Sequence, residues 1–186
     1  MLIIVFAYLL GSIPAAYLVT RLVTGADIRH LGDGNMGAKN TFHSVGWLPA
    51  VLVAVVDVGK GALAVATARY FNASEGLVML AGACAVLGHD FPVYLAFRGG
   101  QGMATMIGVF GVLYPQLTIL ALLALLAALA ITRNWDISSA LSFVLLVLMI
   151  WLAGQPLRRL LYPVLLLPTI GLRKLSQQWQ ARRLAV

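Results

Sequence analysis

The sequence predicts an all-α polytopic membrane protein with about seven transmembrane helices. Of the 186 residues, 61% are hydrophobic and only 10% are charged, whereas charged residues make up about 25% of a typical soluble domain. The interior of a soluble domain of this length cannot enclose so much apolar surface. We therefore expect lipid to surround most of the chain.

Apolar runs supply the transmembrane segments, because about 20 apolar residues in a helix cross a bilayer. The runs cover residues 2–21, 47–70, 77–97, 103–114, 116–132, 138–153 and 160–172. The first run resembles a signal peptide, but no basic residue precedes it, so we expect it to remain as a membrane helix. The fourth and last runs are short, and Pro163 and Pro168 interrupt the last one. These two segments are expected to be tilted or re-entrant.

Basic residues at the ends of the apolar runs indicate the orientation. Those assigned to the cytoplasmic side are Arg21, Arg29, Lys39, Arg98, Arg133, Arg173, Lys174, Arg182 and Arg183. This assignment puts the N-terminus outside and the C-terminus in the cytoplasm, with Arg158 and Arg159 as exceptions on the outer side. Because topology signals and phosphate contacts account for the net charge of +7, no nucleic-acid partner is expected.

The chain is predicted to form one transmembrane domain, residues 1–186, that ends in a basic amphipathic cytoplasmic tail at 172–186. In the tail, Leu172, Leu175 and Trp179 recur at helical intervals among basic residues. That pattern is typical of a helix lying along an anionic membrane surface. The single cysteine, Cys84, lies inside an apolar run and is interpreted as a packed thiol.

The first polar loop reads DIRHLGDGNMGAKNTFHSVG, residues 27–46. Its glycines at 32, 34 and 37 match G-x-G-x-x-G, but no strand precedes them, which excludes a dinucleotide-binding fold. Closely spaced glycines nevertheless let backbone N–H groups converge on a phosphate, and polar side chains flank them at Asn35, Lys39, Asn40 and His43. The alternative is a flexible connector, and the density of polar residues favours the phosphate site.

The second polar loop reads FRGGQGMAT, residues 97–105. Arg98 precedes the glycines at 99, 100 and 102, and Thr105 leads into the next helix. N–H groups at a helix N-terminus beside a guanidinium attract phosphate. A tight turn with one topology-setting arginine is an equally good interpretation of this loop alone.

Ionisable residues inside the apolar runs are a third signal. Asp57 and Lys60 stand three residues apart on one helix face, and such a pair faces a protein or water-filled interior, either as a functional site or as a lock between helices. His89, followed by Asp90, is interpreted as a general acid or base, a ligand contact or a packing residue.

Several classes of chemistry are excluded. The sequence has no G-x-S-x-G or H-E-x-x-H motif, and its three histidines are scattered, so we expect neither a serine nucleophile nor a metal site. The H-x-x-x-x-D signature of the better-known glycerolipid acyltransferases is missing as well.

Four blocks resemble the bacterial acyl-phosphate-dependent glycerol-3-phosphate acyltransferases, the PlsY family. They are GSIPAAYLVTRL at 11–22, DIRHLGDGNMGAKN at 27–40, DVGKG at 57–61 and GHDFPVYLAFRGGQGMAT at 88–105. The resemblance implies a seven-helix bacterial inner-membrane protein with its active-site loops in the cytoplasm. It also implies acyl transfer from acyl phosphate to the 1-hydroxyl of glycerol 3-phosphate without metal or nucleotide cofactor, giving lysophosphatidic acid among membrane lipids.

The resemblance also implies roles for individual residues. Asp33, Asn35 and His89 are the expected catalytic residues. The expected substrate-binding residues are Lys39, Asn40, His43, Arg98, Gly99, Gly100, Gln101, Gly102, Thr105, Ser138, Ser139, Lys174 and Gln177. The first loop is expected to hold the acceptor and the second the acyl phosphate, with His89 orienting the site from beneath.

The sequence departs from the family pattern at several of these positions. The family usually has Ser at Asp33, Thr at Lys39, Arg at His43, Lys at Gln101 and Ser at Asp136. Lys174 and Gln177 stand where the tail motif has His and Asn. Two lost cations and one gained carboxylate weaken a phosphate site, and Lys39 and Lys174 restore part of the charge.

Two alternatives belong to other functional classes. One is a non-catalytic relative that binds a lipid or phosphate ligand. The other is a small transporter that uses Asp57 and Lys60, although transporters usually have internal repeats and polar residues on several helices, and this sequence has neither.

Overall fold

The computed structural model describes the backbone of residues 1–184 and the side chains of residues 1–169 and 171. Its regular structure is helical, and no strand occurs in the part of the chain described. The helices are α1 (Leu2–Gly11), α2 (Ala15–Thr24), α3 (Ala38–Ser44), α4 (Trp47–Tyr70), α5 (Glu75–Asp90), α6 (Met103–Leu113), α7 (Pro115–Thr132), α8 (Trp135–Leu152) and α9 (Leu157–Leu184).

Five stretches are long and apolar enough to cross a membrane. They are Leu2–Thr24, Trp47–Tyr70, Glu75–Leu95, Pro115–Thr132 and Trp135–Leu152. The shorter α6 and the final α9 cover the two remaining predicted segments. The prediction of an all-α, multi-pass membrane protein is confirmed.

The first predicted segment consists of two helices, α1 and α2, separated at Pro14. Proline has no N–H to continue the helix, and the Ser12 hydroxyl turns back to donate to the Tyr8 carbonyl at 2.8 Å. Beyond the break, α2 buries Ala16 and Thr20 while Leu22 stays exposed. This amphipathic helix leads directly into the first polar loop.

The expected interruption of the last segment is wrong, because α9 continues through Pro163 and Pro168 over 28 residues. Pro163 lacks the N–H that would bond to the carbonyl of Arg159 one turn earlier. The Tyr114 hydroxyl donates to that carbonyl instead, at 3.2 Å. A side chain therefore replaces the missing helical bond.

The chain divides into two compact units. Unit 1 contains Met1–Val109 together with the end of α9 from Pro168, and its helices pack through glycines. Gly88 of α5 lies against the backbone of Tyr8 and Ser12, and Gly108 of α6 lies against the Val58 carbonyl of α4. A Cβ at either glycine would overlap the neighbouring backbone, so these crossings depend on the absence of a side chain.

Unit 2 contains Phe110–Leu167, and its main feature is the packing of α7 against α8. The two helices are joined by only two residues, 133 and 134, so they run antiparallel. The Ser142 hydroxyl donates to the Ala121 carbonyl at 2.6 Å across the pair. Around Phe110 lie three further aromatic rings, those of Tyr114, Phe143 and Tyr162.

Candidate active site

The first polar loop is held in shape by Asn40, which is only 2% exposed. Its amide nitrogen lies within hydrogen-bonding distance of the carbonyls of Leu31 at 2.9 Å, Asn35 at 3.0 Å and Ile28 at 3.4 Å. Its amide oxygen accepts from the Asp33 N–H at 3.3 Å. Because these groups span the loop, Asn40 is a structural centre rather than an exposed substrate contact.

The other predicted residues of this loop lie nearer its surface. Asp33, Lys39 and His43 are exposed, and Asn35 is half-buried. The Asp33 carboxylate accepts from the Asn35 N–H at 2.9 Å, which forms an Asx turn. Gly34, between them, has φ of +71°, a conformation that favours glycine. The turn therefore presents one carboxylate and several polar side chains outward.

An ion pair stabilises the entrance of the same loop. The Arg29 guanidinium contacts the Asp27 carboxylate at 2.6 Å and lies 5.5 Å from the centre of the Tyr17 ring. Hydrogen bonding to Arg29 holds the pKa of Asp27 below its ordinary value, and the same bond raises the pKa of Arg29. Arg29, predicted as a topology signal, thus also anchors the loop to α2.

The second polar loop folds back onto the end of α5. The Gly99 N–H donates to the Asp90 carbonyl, and the Gly100 N–H donates to the His89 carbonyl, both at 3.1 Å. These two N–H groups are therefore used within the protein. Gly102 has φ of +69° and opens α6, where the N–H groups of Met103, Ala104 and Thr105 precede the first intrahelical bond. Arg98 is exposed.

His89 lies where the two loops meet. A Cβ on Gly100 would overlap the His89 Nε2 atom and would lie 2.8 Å from the Met36 carbonyl oxygen. Gly100 thus contacts the imidazole on one side and the first loop on the other. His89 is only 7% exposed, so it supports both loops from inside unit 1.

Behind His89 lies a buried charged cluster. The Lys60 ammonium is 2.8 Å from Asp57 Oδ1, and the same oxygen is 3.4 Å from His89 Nδ1. Lys60 also donates to the carbonyl of Ile13, at 3.0 Å, in the break between α1 and α2. The predicted i, i+3 pair therefore forms, and it contacts both the helix break and His89.

Four other predicted residues do not belong to the two polar loops. Ser138 and Ser139 belong to unit 2, where their hydroxyls donate to the carbonyls of Asn134 and Trp135, each at 2.8 Å. The backbone of α9 includes positions 174 and 177, but the side chains of Lys174 and Gln177 lie outside the described residues. Within the described residues, no three His, Cys, Asp or Glu side chains group as metal ligands would.

Sequence reasoning missed three groups in unit 1. They are the Met36 carbonyl beside Gly100, the Ile13 carbonyl at the helix break, and the Tyr8 hydroxyl, which donates to the Phe91 carbonyl at 2.7 Å. Only the second had a signal, because Pro14 predicts a helix break at this position. The other two depend on contacts between segments distant in sequence.

Comparison with known proteins identifies the family of this chain. A family model described as glycerol-3-phosphate acyltransferase matches residues 1–181. A glycerol-3-phosphate acyltransferase of Dehalococcoides mccartyi is 42% identical over 92% of this chain and 93% of its own length. One of Thermus thermophilus is 41% identical over 83% of this chain and 77% of its own length.

Two solved structures have the same fold. The crystal structure of PlsY, an integral membrane glycerol 3-phosphate acyltransferase, in its glycerol 3-phosphate form has a TM-score of 0.86 and 30% identity, covering 99% of this chain and 90% of that one. Its lysophosphatidic acid form has a TM-score of 0.82 and 28% identity, covering 97% and 92%. The chain therefore belongs to the glycerol-3-phosphate acyltransferase family of PlsY and is a multi-pass membrane acyltransferase.

Proposed function

We propose that this enzyme transfers a fatty acyl group from acyl phosphate to the 1-hydroxyl of glycerol 3-phosphate, a step of phospholipid synthesis. The hydroxyl oxygen attacks the acyl carbonyl carbon and forms the ester bond. The bond between that carbon and the phosphate oxygen breaks, and the hydroxyl proton leaves with the inorganic phosphate. The products are lysophosphatidic acid and phosphate.

The observation that carries this proposal is the meeting of the two polar loops at Gly100. The Met36 carbonyl of the first loop and the His89 imidazole both lie against this glycine. Two phosphate-bearing substrates held by two adjacent loops would have their reacting groups side by side. Proximity and charge stabilisation then supply the catalysis, and no protein nucleophile is needed.

The second loop is the proposed donor site. Because Gly99 and Gly100 use their N–H groups on α5, we assign phosphate binding to the N-terminal N–H groups of α6 and to the exposed guanidinium of Arg98. A helix N-terminus carries a partial positive charge that favours phosphate. The glycines contribute by letting the backbone pass close to His89.

The first loop is the proposed acceptor site. Asn35, Lys39 and His43 offer hydrogen bonds and positive charge near the loop surface, while Asn40 holds the backbone beneath them. Lys39 compensates in part for the histidine and glutamine that replace cationic residues of the family. The exposed carboxylate of Asp33 opposes binding of the acceptor phosphate through charge repulsion.

The proposed orientation places both loops in the cytoplasm of a bacterium, with the N-terminus outside the inner membrane and the C-terminus inside. The basic loops and tail support this orientation. Phosphorylated substrates then reach the loops from water, and the acyl chain reaches them from the surrounding lipid.

The test is turnover by purified protein in phospholipid vesicles supplied with acyl phosphate and glycerol 3-phosphate. Mass spectrometry should detect lysophosphatidic acid and an equal amount of inorganic phosphate. Vesicles without protein control for spontaneous acyl transfer. A parallel panel offers glycerol, glycerol 2-phosphate and other polyol phosphates at the same donor concentration. Product with another acceptor but none with glycerol 3-phosphate would contradict the assigned acceptor.

A further inference from the structure

We infer that Asp57 and Lys60 are positioning residues that hold both polar loops in register for acyl transfer. This inference rests on the proposed function. Neither side chain reaches the surface, since Asp57 is 1% and Lys60 is 3% exposed. They therefore act through the groups they contact, and those contacts lead separately to each loop.

Lys60 leads to the first loop through the break in the first transmembrane segment. Its ammonium donates to the Ile13 carbonyl, which lies in the break and also accepts from the Ala15 N–H at 3.1 Å. Lys60 thereby fixes the point from which α2 departs. Ala16 and Val19 of α2 pack in one cluster with Met36 of the first loop. A shift of α2 would therefore move Met36, whose carbonyl lies against Gly100.

Asp57 leads to the second loop through His89. Its carboxylate lies 3.4 Å from His89 Nδ1, and a carboxylate in this position favours the imidazole form that carries its hydrogen on Nδ1. The opposite nitrogen, Nε2, lies against Gly100. The orientation of the ring, and with it the position of the glycine turn, therefore depends on Asp57.

The energetics of buried charges allow a positioning role of this pair to be distinguished from a purely stabilising role. Removing one partner of a buried pair leaves an uncompensated charge and destabilises the protein, whereas removing both charges is often neutral or stabilising. A double variant with two apolar side chains, Asp57→Leu with Lys60→Met, should therefore fold well yet lack the contacts to Ile13 and His89. If the pair served stability alone, the same variant would be fully active.

The experiment compares Asp57→Leu, which removes both the charge and the acceptor oxygen, with Lys60→Met and with the double variant. All are measured in phospholipid vesicles, with thermal unfolding followed by tryptophan fluorescence. We expect both single variants to unfold at lower temperature and the double variant to return close to the wild type. We expect kcat of the double variant to stay about 10- to 100-fold below the wild type, while the KM of each substrate changes by less than about threefold. Lys60→Arg, which keeps the charge and a donor, should restore most of kcat. Wild-type kcat in the stable double variant would overturn the inference.

A double-mutant cycle keeps the test valid if the double variant fails to fold. His89→Asn preserves a donor near the Nδ1 position and removes Nε2. If Asp57 acts through His89, adding Asp57→Leu to His89→Asn should lower kcat no further, whereas additive losses would contradict the coupling. All variants are assayed with the acceptor that gives the highest wild-type turnover. A different preferred acceptor then contradicts the proposed function alone, and absence of turnover with any acceptor contradicts both.

Discussion

The two units differ in how they use polar groups, although both consist of apolar helices. In unit 1, the buried side chain of Asn40 bonds to carbonyls 5 to 12 residues away, and that of Lys60 bonds to a carbonyl 47 residues away. In unit 2, Asn134, Ser138 and Ser139 bond to backbone within four residues. Burial differs as well. Within Glu75–Leu95, 50% of the most apolar stretch is buried inside the protein, compared with 17% within Pro115–Thr132. Unit 2 has long-range side-chain bonds too, from Ser142 to Ala121 and from Tyr114 to Arg159, but they connect apolar helices. Those of unit 1 hold the first polar loop and the helix break at Pro14.

The largest expected effect on stability comes from Asn40, the asparagine at the centre of the first loop. Asn40→Ala should lower the free energy of unfolding by about 2–4 kcal/mol, because each buried group left unsatisfied costs about 1–3 kcal/mol. The matched change in unit 2 is Asn134→Ala, which removes only the cap of α8 and should cost about 1 kcal/mol. Denaturant unfolding in detergent, followed by tryptophan fluorescence, measures both. Equal losses would refute the difference between the units.

A second comparison uses two glycines of α6. A Cβ built on Gly108 would meet the backbone of Val58 and Ala62. A Cβ on Gly111 would have no atom of another described segment within 4 Å. Gly108→Ala should reduce the free energy of unfolding by about 1–3 kcal/mol through overpacking. Gly111→Ala should instead be neutral or stabilise by up to about 1 kcal/mol. The same unfolding assay decides, and a neutral Gly108→Ala would mean that α4 and α6 are not in close contact.

Arginines in the two units provide a test of the donor site. Arg98→Ala should weaken acyl phosphate binding by about 1.5–3 kcal/mol, because one charge-assisted contact is lost. Arg133→Ala removes the same charge from the loop between α7 and α8 and should leave donor binding unchanged. Competition by a non-hydrolysable acyl phosphate analogue measures both affinities. If the two variants lost affinity equally, overall charge rather than Arg98 would attract the donor.

Gly100→Val tests the close backbone approach in the same loop. A side chain there would overlap His89 and press on the Met36 carbonyl, so we expect donor binding and turnover to fall below detection. A variant that is present in membranes and binds donor normally would show that the turn is only structural.

Sequence was sufficient for features that depend on local patterns. Apolar runs predicted the helices, and the spacing of Asp57 and Lys60 predicted the pair found at 2.8 Å. Glycine content located both loops, but it did not reveal that Gly99 and Gly100 use their N–H groups on α5. That pairing depends on how the chain turns after Pro92, and composition carries no information about it.

Other features were beyond sequence reasoning because they join distant segments. Asn40 and Lys39 are neighbours, yet one is buried and the other exposed, and only the packing of α3 determines which faces inward. The Lys60 contact with Ile13 spans 47 residues. Pro163 was expected to interrupt the last segment. The tyrosine that compensates for it, Tyr114, lies 49 positions earlier, so no local pattern reveals the contact.

Like the bond from Ser142 to Ala121, the tyrosine contact joins distant segments of unit 2, and its effect should be smaller than those above. Tyr114→Phe removes the donor to the Arg159 carbonyl and should cost about 0.5–1.5 kcal/mol of unfolding free energy. Pro163→Ala restores a backbone N–H able to bond that carbonyl, so Tyr114→Phe should cost less in the Pro163→Ala background. An equal cost in both backgrounds would show that the tyrosine does not compensate for the proline.

The smallest expected effect concerns Asp27 and Arg29, a local pair in unit 1. The side chains are 15% and 28% exposed, so water screens the pair and Asp27→Asn should cost about 0.2–1 kcal/mol near pH 7.

Because the pKa of Asp27 is lowered in the folded protein, the carboxylate contributes stability above its unfolded-state pKa. That contribution is lost as pH falls below about 4 and protonation removes the charge. The difference in unfolding free energy between wild type and Asp27→Asn, measured from pH 7 to 3, should therefore shrink toward acid. A constant difference would mean that the pair contributes through shape rather than charge.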